Sequence, residues 1–329
     1  MAHPIHQANK SSPFGELTRD EFYAKHKVIH QESFMLNKRN MKIFTQTWRP
    51  APHSADLSGL VAMIHGYASE SSWIFELTAV AIAKLGFLVC ALDLPGHGRS
   101  EGRRGHVPTV TPVVDDCIQY FSSVKSAHGP LPSFLYGESL GGALAVLVYL
   151  KQKGGWDGLV LNGAMCGVSS KFKPIWPLEK FLPAAAFIAP NWRVVVTQSL
   201  RQKSYKEEWK RELVRRNPRA QNSEHPPAST ALELTRVCEV IGRRCREVDV
   251  PMLVLHGEDD SVCDSDSAEL VYELARSKDK TLKIVPGMWH QLIGEPKDIV
   301  EFGFGFIFTW LKERANSHSR NAYVANGHV

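Results

Sequence analysis

Residues 132–150 leave few folds open to this chain. An apolar run at 134–136 has strand character, Gly137-Glu138-Ser139-Leu140-Gly141 follows, and an Ala- and Leu-rich segment then has the composition of a helix. Strand, G-x-S-x-G, helix is the context in which that pentapeptide becomes a nucleophile elbow, a turn sharp enough to lift a serine hydroxyl clear of a sheet. The turn is strained, and side chains two residues either side of Ser139 would clash, so those positions need glycine. Gly137, Gly141 and the additional Gly142 meet that need.

Around the elbow the chain alternates between two periods. An alternating segment at 34–49 predicts antiparallel strands. Residues 59–64 read as a buried strand ending in the turn His65-Gly66-Tyr67-Ala68, and a helix is expected over 71–85. A strand over 85–94 closes in the rigid turn Pro95-Gly96-His97-Gly98-Arg99-Ser100, followed by a helix over 108–127. Further strands are expected at 156–162, 249–257 and 280–286, with helices at 265–276 and 298–314. Continuous apolar strands separated by helices predict an α/β fold, a mostly parallel sheet covered on both faces. Residues 165–238 carry no strand signal and are expected to form an inserted helical cap beyond the carboxyl ends of the strands. The expected core is 31–164 and 239–314, with a flexible segment at 1–30 and a disordered tail at 315–329.

Hydrophobic residues make up 43% of the 329 and charged residues 22%, which suits a large globular core. The formal net charge of +5 is mild, and no dense basic stripe interleaved with aromatics appears, which excludes nucleic-acid binding. Six cysteines lie without a C-x-x-C pair and read as buried free thiols, Cys263 being the one near a chemically suggestive loop. The first residues have no apolar core of signal-peptide length, and the longest apolar runs, 181–190 and 302–311, are too short to span a bilayer. A cytoplasmic protein that meets membranes only at their periphery is the expectation. Nothing in the residues points to an oligomeric state.

A serine hydroxyl is a poor nucleophile near neutral pH and needs a base that a carboxylate orients. In this architecture acid and base follow the serine in that order, each just past a late strand. After the strand at 249–257 comes Glu258-Asp259-Asp260-Ser261-Val262-Cys263-Asp264. A carboxylate three residues past Gly257 has the reach required, so Asp260 is preferred and Asp259 is the alternative. After the strand at 280–286 comes Gly287-Met288-Trp289-His290, which places His290 as the base. His256 falls at a strand end and is the weaker choice. An oxyanion needs backbone donors: the N–H of Leu140, at the start of a helix, and the N–H of Tyr67, in the turn after His65-Gly66.

In the cap, Leu178, Phe181, Leu182, Phe187 and Ile188 lack matching polar cover; they either pack the cap onto the main domain or form a portal for acyl chains that docks at a membrane. Phe181 and Phe187, with His65, Gly66 and Glu138 around the serine, are expected to line the substrate site. A cluster of seven cations at 203–219 outnumbers Glu207, Glu208 and Glu212, and could meet anionic headgroups.

Taken together, His65-Gly66, the loop at 93–100, Gly137 to Gly142 and Val262-Cys263-Asp264 resemble the monoglyceride-lipase-like branch of the α/β-hydrolase superfamily. Residues 277–284 and Gly287-Met288-Trp289-His290 are similar to its plant monoacylglycerol lipase and caffeoylshikimate esterase group. The resemblance covers about 34–311 and implies a Ser139–Asp260–His290 triad, Tyr67 and Leu140 as oxyanion donors, and a cap over a hydrophobic acyl tunnel. Ala68 departs from the glycine common there, and Leu140 from methionine. The activity implied is hydrolysis of a small amphipathic ester, a monoacylglycerol or lysophospholipid, with no metal or organic cofactor. Its rivals are a phenolic-ester esterase of the caffeoylshikimate type, acyl transfer to an alcohol, and a non-catalytic small-molecule receptor on the same fold.

Overall fold

The computed structural model describes the backbone of residues 2–51, 57–170, 178–193, 200–219 and 225–325, and the side chains of these except 178, 179 and 318–325. In chain order the elements are α1 (Arg19–His26), β1 (Val28–Leu36), β2 (Lys42–Pro50), β3 (Gly59–Ile64), α2 (Phe75–Ala83), β4 (Phe87–Leu92), α3 (Thr111–His128), β5 (Ser133–Glu138) and α4 (Leu140–Lys151). There follow β6 (Gly158–Asn162), α5 (Leu178–Ile188), α6 (Leu200–Ser204), α7 (Glu208–Arg215), α8 (Ala228–Arg244), β7 (Met252–Gly257), α9 (Ser265–Leu274), β8 (Lys280–Val285) and α10 (Lys297–Ala325).

Eight strands form one sheet in the order β1-β2-β4-β3-β5-β6-β7-β8. The hairpin β1–β2 joins antiparallel to β4, and every pairing from β4 to β8 is parallel. Strands β3, β4 and β5 are buried on both faces, which is why they read as unbroken apolar runs. Two apolar layers cover the sheet, one built on α3, α4 and α8, the other on α2 and α10. The chain leaves β3 for β4 on one side and returns to β5 on the other. Adjacent crossovers therefore diverge at the carboxyl ends of β3 and β5, the place where such sheets open a crevice.

The two ends depart from expectation. Residues 2–27 pack against the core: Ile5 and Phe22 are fully buried, and the His3 ring stacks on Phe304 at 4.1 Å between centroids. Thr18 and Glu21 close a reciprocal capping box that starts α1. The few apolar residues here are diluted by polar neighbours, so no period betrays them. At the other end α10 continues to Ala325, since no glycine or proline interrupts it between 315 and 325. Residues 326–329 of the expected tail lie outside the described residues, as do parts of the expected cap.

Helices α5 to α8 fill the span between β6 and β7. The boundary expected at 238 falls inside α8, whose Val237 and Ile241 are buried in the same apolar layer as α4. A second part of the insertion is stitched to the loop after β8. Lys206 Nζ donates to the Gly287 carbonyl at 2.7 Å, Gln291 N donates to the Ser204 carbonyl at 2.9 Å, and buried Lys210 donates to the Glu295 carbonyl. Trp73 Nε1 donates to the Leu213 carbonyl at 2.9 Å and ties α7 to the loop after β3.

Candidate active site

Ser139 joins β5 to α4 with φ 52° and ψ −123°. Few residues other than glycine enter that region, and holding one there costs on the order of 1–3 kcal/mol. Close backbone approach makes the turn possible: a Cβ at Gly141 would lie 2.0 Å from the Ile64 carbonyl oxygen, inside any contact distance.

His290 Nε2 lies 2.9 Å from Ser139 Oγ, and His290 Nδ1 lies 2.7 Å from Asp260 Oδ2. An ionised carboxylate only accepts, so Nδ1 carries the hydrogen and Nε2 is left to take the serine proton. Asp260 is buried whereas Asp259, the alternative, is exposed. Asp260 Oδ1 accepts from the Val262 and Cys263 N–H groups at 2.8 and 3.0 Å. Burial alone would push its carboxyl up, but the His290 charge and hydrogen bonds from His256 and His290 outweigh burial and hold it well below the usual range.

The Leu140 N–H opens α4, where the helix dipole is positive, and the Tyr67 N–H lies just past β3. Neither donates to another group among the described residues. The Gly66 turn presses on the serine, since a Cβ at Gly66 would lie 3.0 Å from Ser139 Cβ. Tyr67 is fixed by its hydroxyl, which donates to the Gly105 carbonyl at 2.9 Å. Gly66, Tyr67, Glu138, Ser139 and His290 share the wall of one cavity of about 70 Å³.

Three expected substrate contacts lie elsewhere. His65 is fully buried beneath the turn, its Nδ1 donating to the Gly66 carbonyl at 2.8 Å and its Nε2 accepting from Leu94 N at 3.0 Å. Burial lowers its pKa to about 4, so it is a neutral brace and not a wall of the cavity. Phe181 and Phe187 are 61% and 88% exposed on α5, and neither lines the cavity. The helix packs on α8 and buries Leu182, which leaves both rings facing outward. The Leu178 side chain lies outside the described residues.

The Hydrolase_4 family model, described as serine aminopeptidase, S33, matches residues 55–297. The chain belongs to this family. It is 31% identical over 310 residues to the caffeoylshikimate esterase of Arabidopsis thaliana, covering 93% of this chain and 92% of that one. It is 30% identical over 282 residues to the monoglyceride lipase of Homo sapiens, covering 85% and 90%. A soluble variant of monoglyceride lipase from Saccharomyces cerevisiae, solved with a substrate analog, shares the fold with a TM-score of 0.76 at 20% identity, over 87% of this chain and 96% of that one. The chain is thus a monoglyceride-lipase-like α/β-hydrolase.

In this hydrolase the cavity is more polar than the acyl tunnel that the resemblance implied. Glu138, Tyr205, Gln291, Glu70 and Asn217 face it alongside Trp73, Ile74 and Val214. Burial pushes the Glu138 carboxyl up to about 7, against the hydrogen bonds from Tyr136 and Asn162 and the charge of His290. Glu70 is pushed up by burial and by Asp93, while Asn217 Nδ2 from the insertion donates to its Oε1 at 2.9 Å. Asp260, Cys263 and His290 each bring one ligand-type atom within 4.8 Å of the others. As a metal donor set they are poor, because two of them are bonded to each other and burial holds the thiol protonated. Sequence reasoning missed Tyr205 and Gln291, which carry no motif, and set His256 aside for lying at a strand end. From that end it reaches Asp260, four residues on.

Proposed function

We propose that the protein is a carboxylic ester hydrolase that works through an acyl-enzyme on Ser139. The observation that carries this is the continuous relay from Ser139 Oγ through both nitrogens of His290 to Asp260, built on a strained turn. His290 Nε2 takes the proton as Ser139 Oγ attacks the ester carbonyl carbon, and the Leu140 and Tyr67 N–H groups receive the charge that develops on the carbonyl oxygen. The imidazolium returns its proton to the leaving alcohol. Water, deprotonated by the same nitrogen, then opens the acyl-enzyme and releases the acid. Asp260 holds the tautomer and steadies the imidazolium. Every step uses groups of this chain.

Monoacylglycerol or lysophospholipid is the substrate class we favour, on the strength of the named monoglyceride lipases among the relatives. A phenolic ester is the second reading, favoured by the 31% identity to a caffeoylshikimate esterase. We also propose that α5 meets a membrane surface, because Phe181, Phe187 and Ile188 on it and Trp192 just past it are all exposed. The basic cluster contributes less than its composition suggests. Arg215 and Arg216 both bond Glu212 at 2.7 Å, and Lys206 and Lys210 are engaged within the fold. Among the described residues no helix is long and apolar enough to cross a bilayer.

Side-by-side rates on monoacylglycerol, lysophosphatidylcholine and caffeoylshikimate test the reading. Turnover of at least one ester, abolished in Ser139→Ala, is expected. Failure to hydrolyse any of them, with no labelling by a fluorophosphonate probe, would instead favour the receptor alternative.

A further inference from the structure

The loop that carries His290 is gripped from two sides. On one, Asp259 N donates to the Met288 carbonyl at 3.0 Å, and Gly257 lets the chains touch, since a Cβ there would lie 2.4 Å from the Trp289 carbonyl oxygen. That side belongs to the loop of Asp260, so it sets acid against base. On the other side stands Glu295, which is wholly buried. Its Oε1 accepts from the Trp289 N–H, one residue before His290, at 2.8 Å. Its Oε2 is buried too and accepts no hydrogen bond among the described residues. The Lys206 ammonium lies 3.9 Å from that oxygen and donates to the Gly287 carbonyl at 2.7 Å.

A carboxyl shut away from water is destabilising unless donors and cations meet it. Both cations here come from the insertion. Lys210, itself buried, donates to the Glu295 carbonyl and pairs with Glu207 Oε2 at 2.9 Å. Glu207 N donates to the Gly294 carbonyl at 3.1 Å, and Gln291 N to the Ser204 carbonyl at 2.9 Å. The crossing is tight, because a Cβ at Gly294 would lie 2.8 Å from Tyr205 Cα. Residues 204–210 thus hold both flanks of His290, at Gly287 before it and from Gln291 to Glu295 after it. An apolar side chain at 295 would avoid the desolvation of a carboxyl, but it would leave the Trp289 N–H without an acceptor.

We propose that Glu295 is a positioning residue for the base: it aims His290 at Ser139 through the Trp289 N–H, and segment 204–210 of the insertion holds it there. This role rests on the ester-hydrolase reading above and adds that the insertion completes the relay as well as covering it. The relay leaves little tolerance. His290 Nε2 is 2.9 Å from Ser139 Oγ and Nδ1 is 2.7 Å from Asp260 Oδ2, and misplacement by about 1 Å can cost about a hundredfold in rate.

The test measures kcat and KM on a short p-nitrophenyl ester for wild type, Glu295→Gln, Glu295→Leu and Lys206→Met, with active sites counted by fluorophosphonate labelling run to completion. Glu295→Leu should lower kcat per labelled site by about ten- to a hundredfold, with KM within about twofold of wild type. Glu295→Gln keeps an oxygen for the Trp289 N–H and should recover kcat to within about threefold of wild type. Lys206→Met alters an exposed side chain, so folding is not at stake, and it should lower kcat about fivefold. It decides the matter alone where Glu295→Leu fails to fold. A loss confined to the number of labelled sites, with kcat per site unchanged, would overturn the positioning role, as would a Glu295→Gln enzyme as slow as Glu295→Leu. An unchanged Lys206→Met would overturn the insertion's part in it. A wild type that neither labels nor turns over the ester would overturn the ester-hydrolase reading itself, and the positioning role with it.

Discussion

His256 Nε2 stands 3.1 Å from Asp260 Oδ2, so the oxygen that receives His290 is shared by a second imidazole. The Cys263 carbonyl lies 3.3 Å from the same nitrogen. Both neighbours accept, which places the His256 hydrogen on Nε2, and its Nδ1 is buried without a partner among the described residues. His256 thus acts as a donor that holds the Asp260 carboxylate in line. His256→Leu should lower kcat about tenfold, the worth of a hydrogen bond to a charged group, and leave KM nearly unchanged. His256→Gln, which keeps a donor, should recover most of the loss. Steady-state kinetics on a p-nitrophenyl ester would check this, and equal losses in both variants would count against it.

Asp260→Asn is expected to reduce kcat by about four orders of magnitude, because an amide can select the wrong imidazole tautomer. The same change should alter the response to acid. The carboxyl is held below its ordinary value of 3.8, so its contribution to stability is present above that value and fades as pH falls below it. Acid unfolding followed by circular dichroism should be steeper in wild type than in Asp260→Asn.

Glu138 has the opposite sign. Its carboxyl titrates at about 7 against an ordinary 4.5. Its contribution is in full below 4.5 and is lost as pH rises to about 7. Relative to Glu138→Gln, wild type should therefore lose stability across that window, by at most about 3 kcal/mol. Urea unfolding at several pH values would measure it, and parallel pH dependences would contradict it.

Ala68 sits at φ 59°, in the left-handed region that favours glycine. A left-handed conformation costs an ordinary residue roughly 1–2 kcal/mol, while glycine gives back about 0.4–1 kcal/mol through the freer unfolded chain. Ala68→Gly should therefore raise stability by up to about 1 kcal/mol. A lower urea midpoint would show that the alanine methyl contributes packing that outweighs the strain.

The parallel sheet and the elbow were legible because both depend on short-range patterns: unbroken apolar runs for strands buried on two faces, and glycines where backbones nearly touch. The order Ser139, Asp260, His290 was legible for the same reason, each residue following a strand that the pattern locates. What the chain does not write locally stayed hidden. Ile5 and His3 are held by Phe304 and its neighbours some 300 residues away. Tyr205 and Gln291 gain meaning only when the insertion folds back over the loop after β8. Phe181 and Phe187 were misplaced because an apolar helix face announces that it needs cover without saying which side the core supplies.

The central claim is that Ser139 carries the acyl group, and intact-protein mass spectrometry tests it most directly. After brief mixing with a slowly deacylating p-nitrophenyl ester, wild type should gain the mass of one acyl group, mapped by peptide digestion to Ser139, while Ser139→Ala gains none and releases no burst of p-nitrophenol. An acyl group found on another residue, or a Ser139→Ala protein that still turns over the ester, would contradict the account.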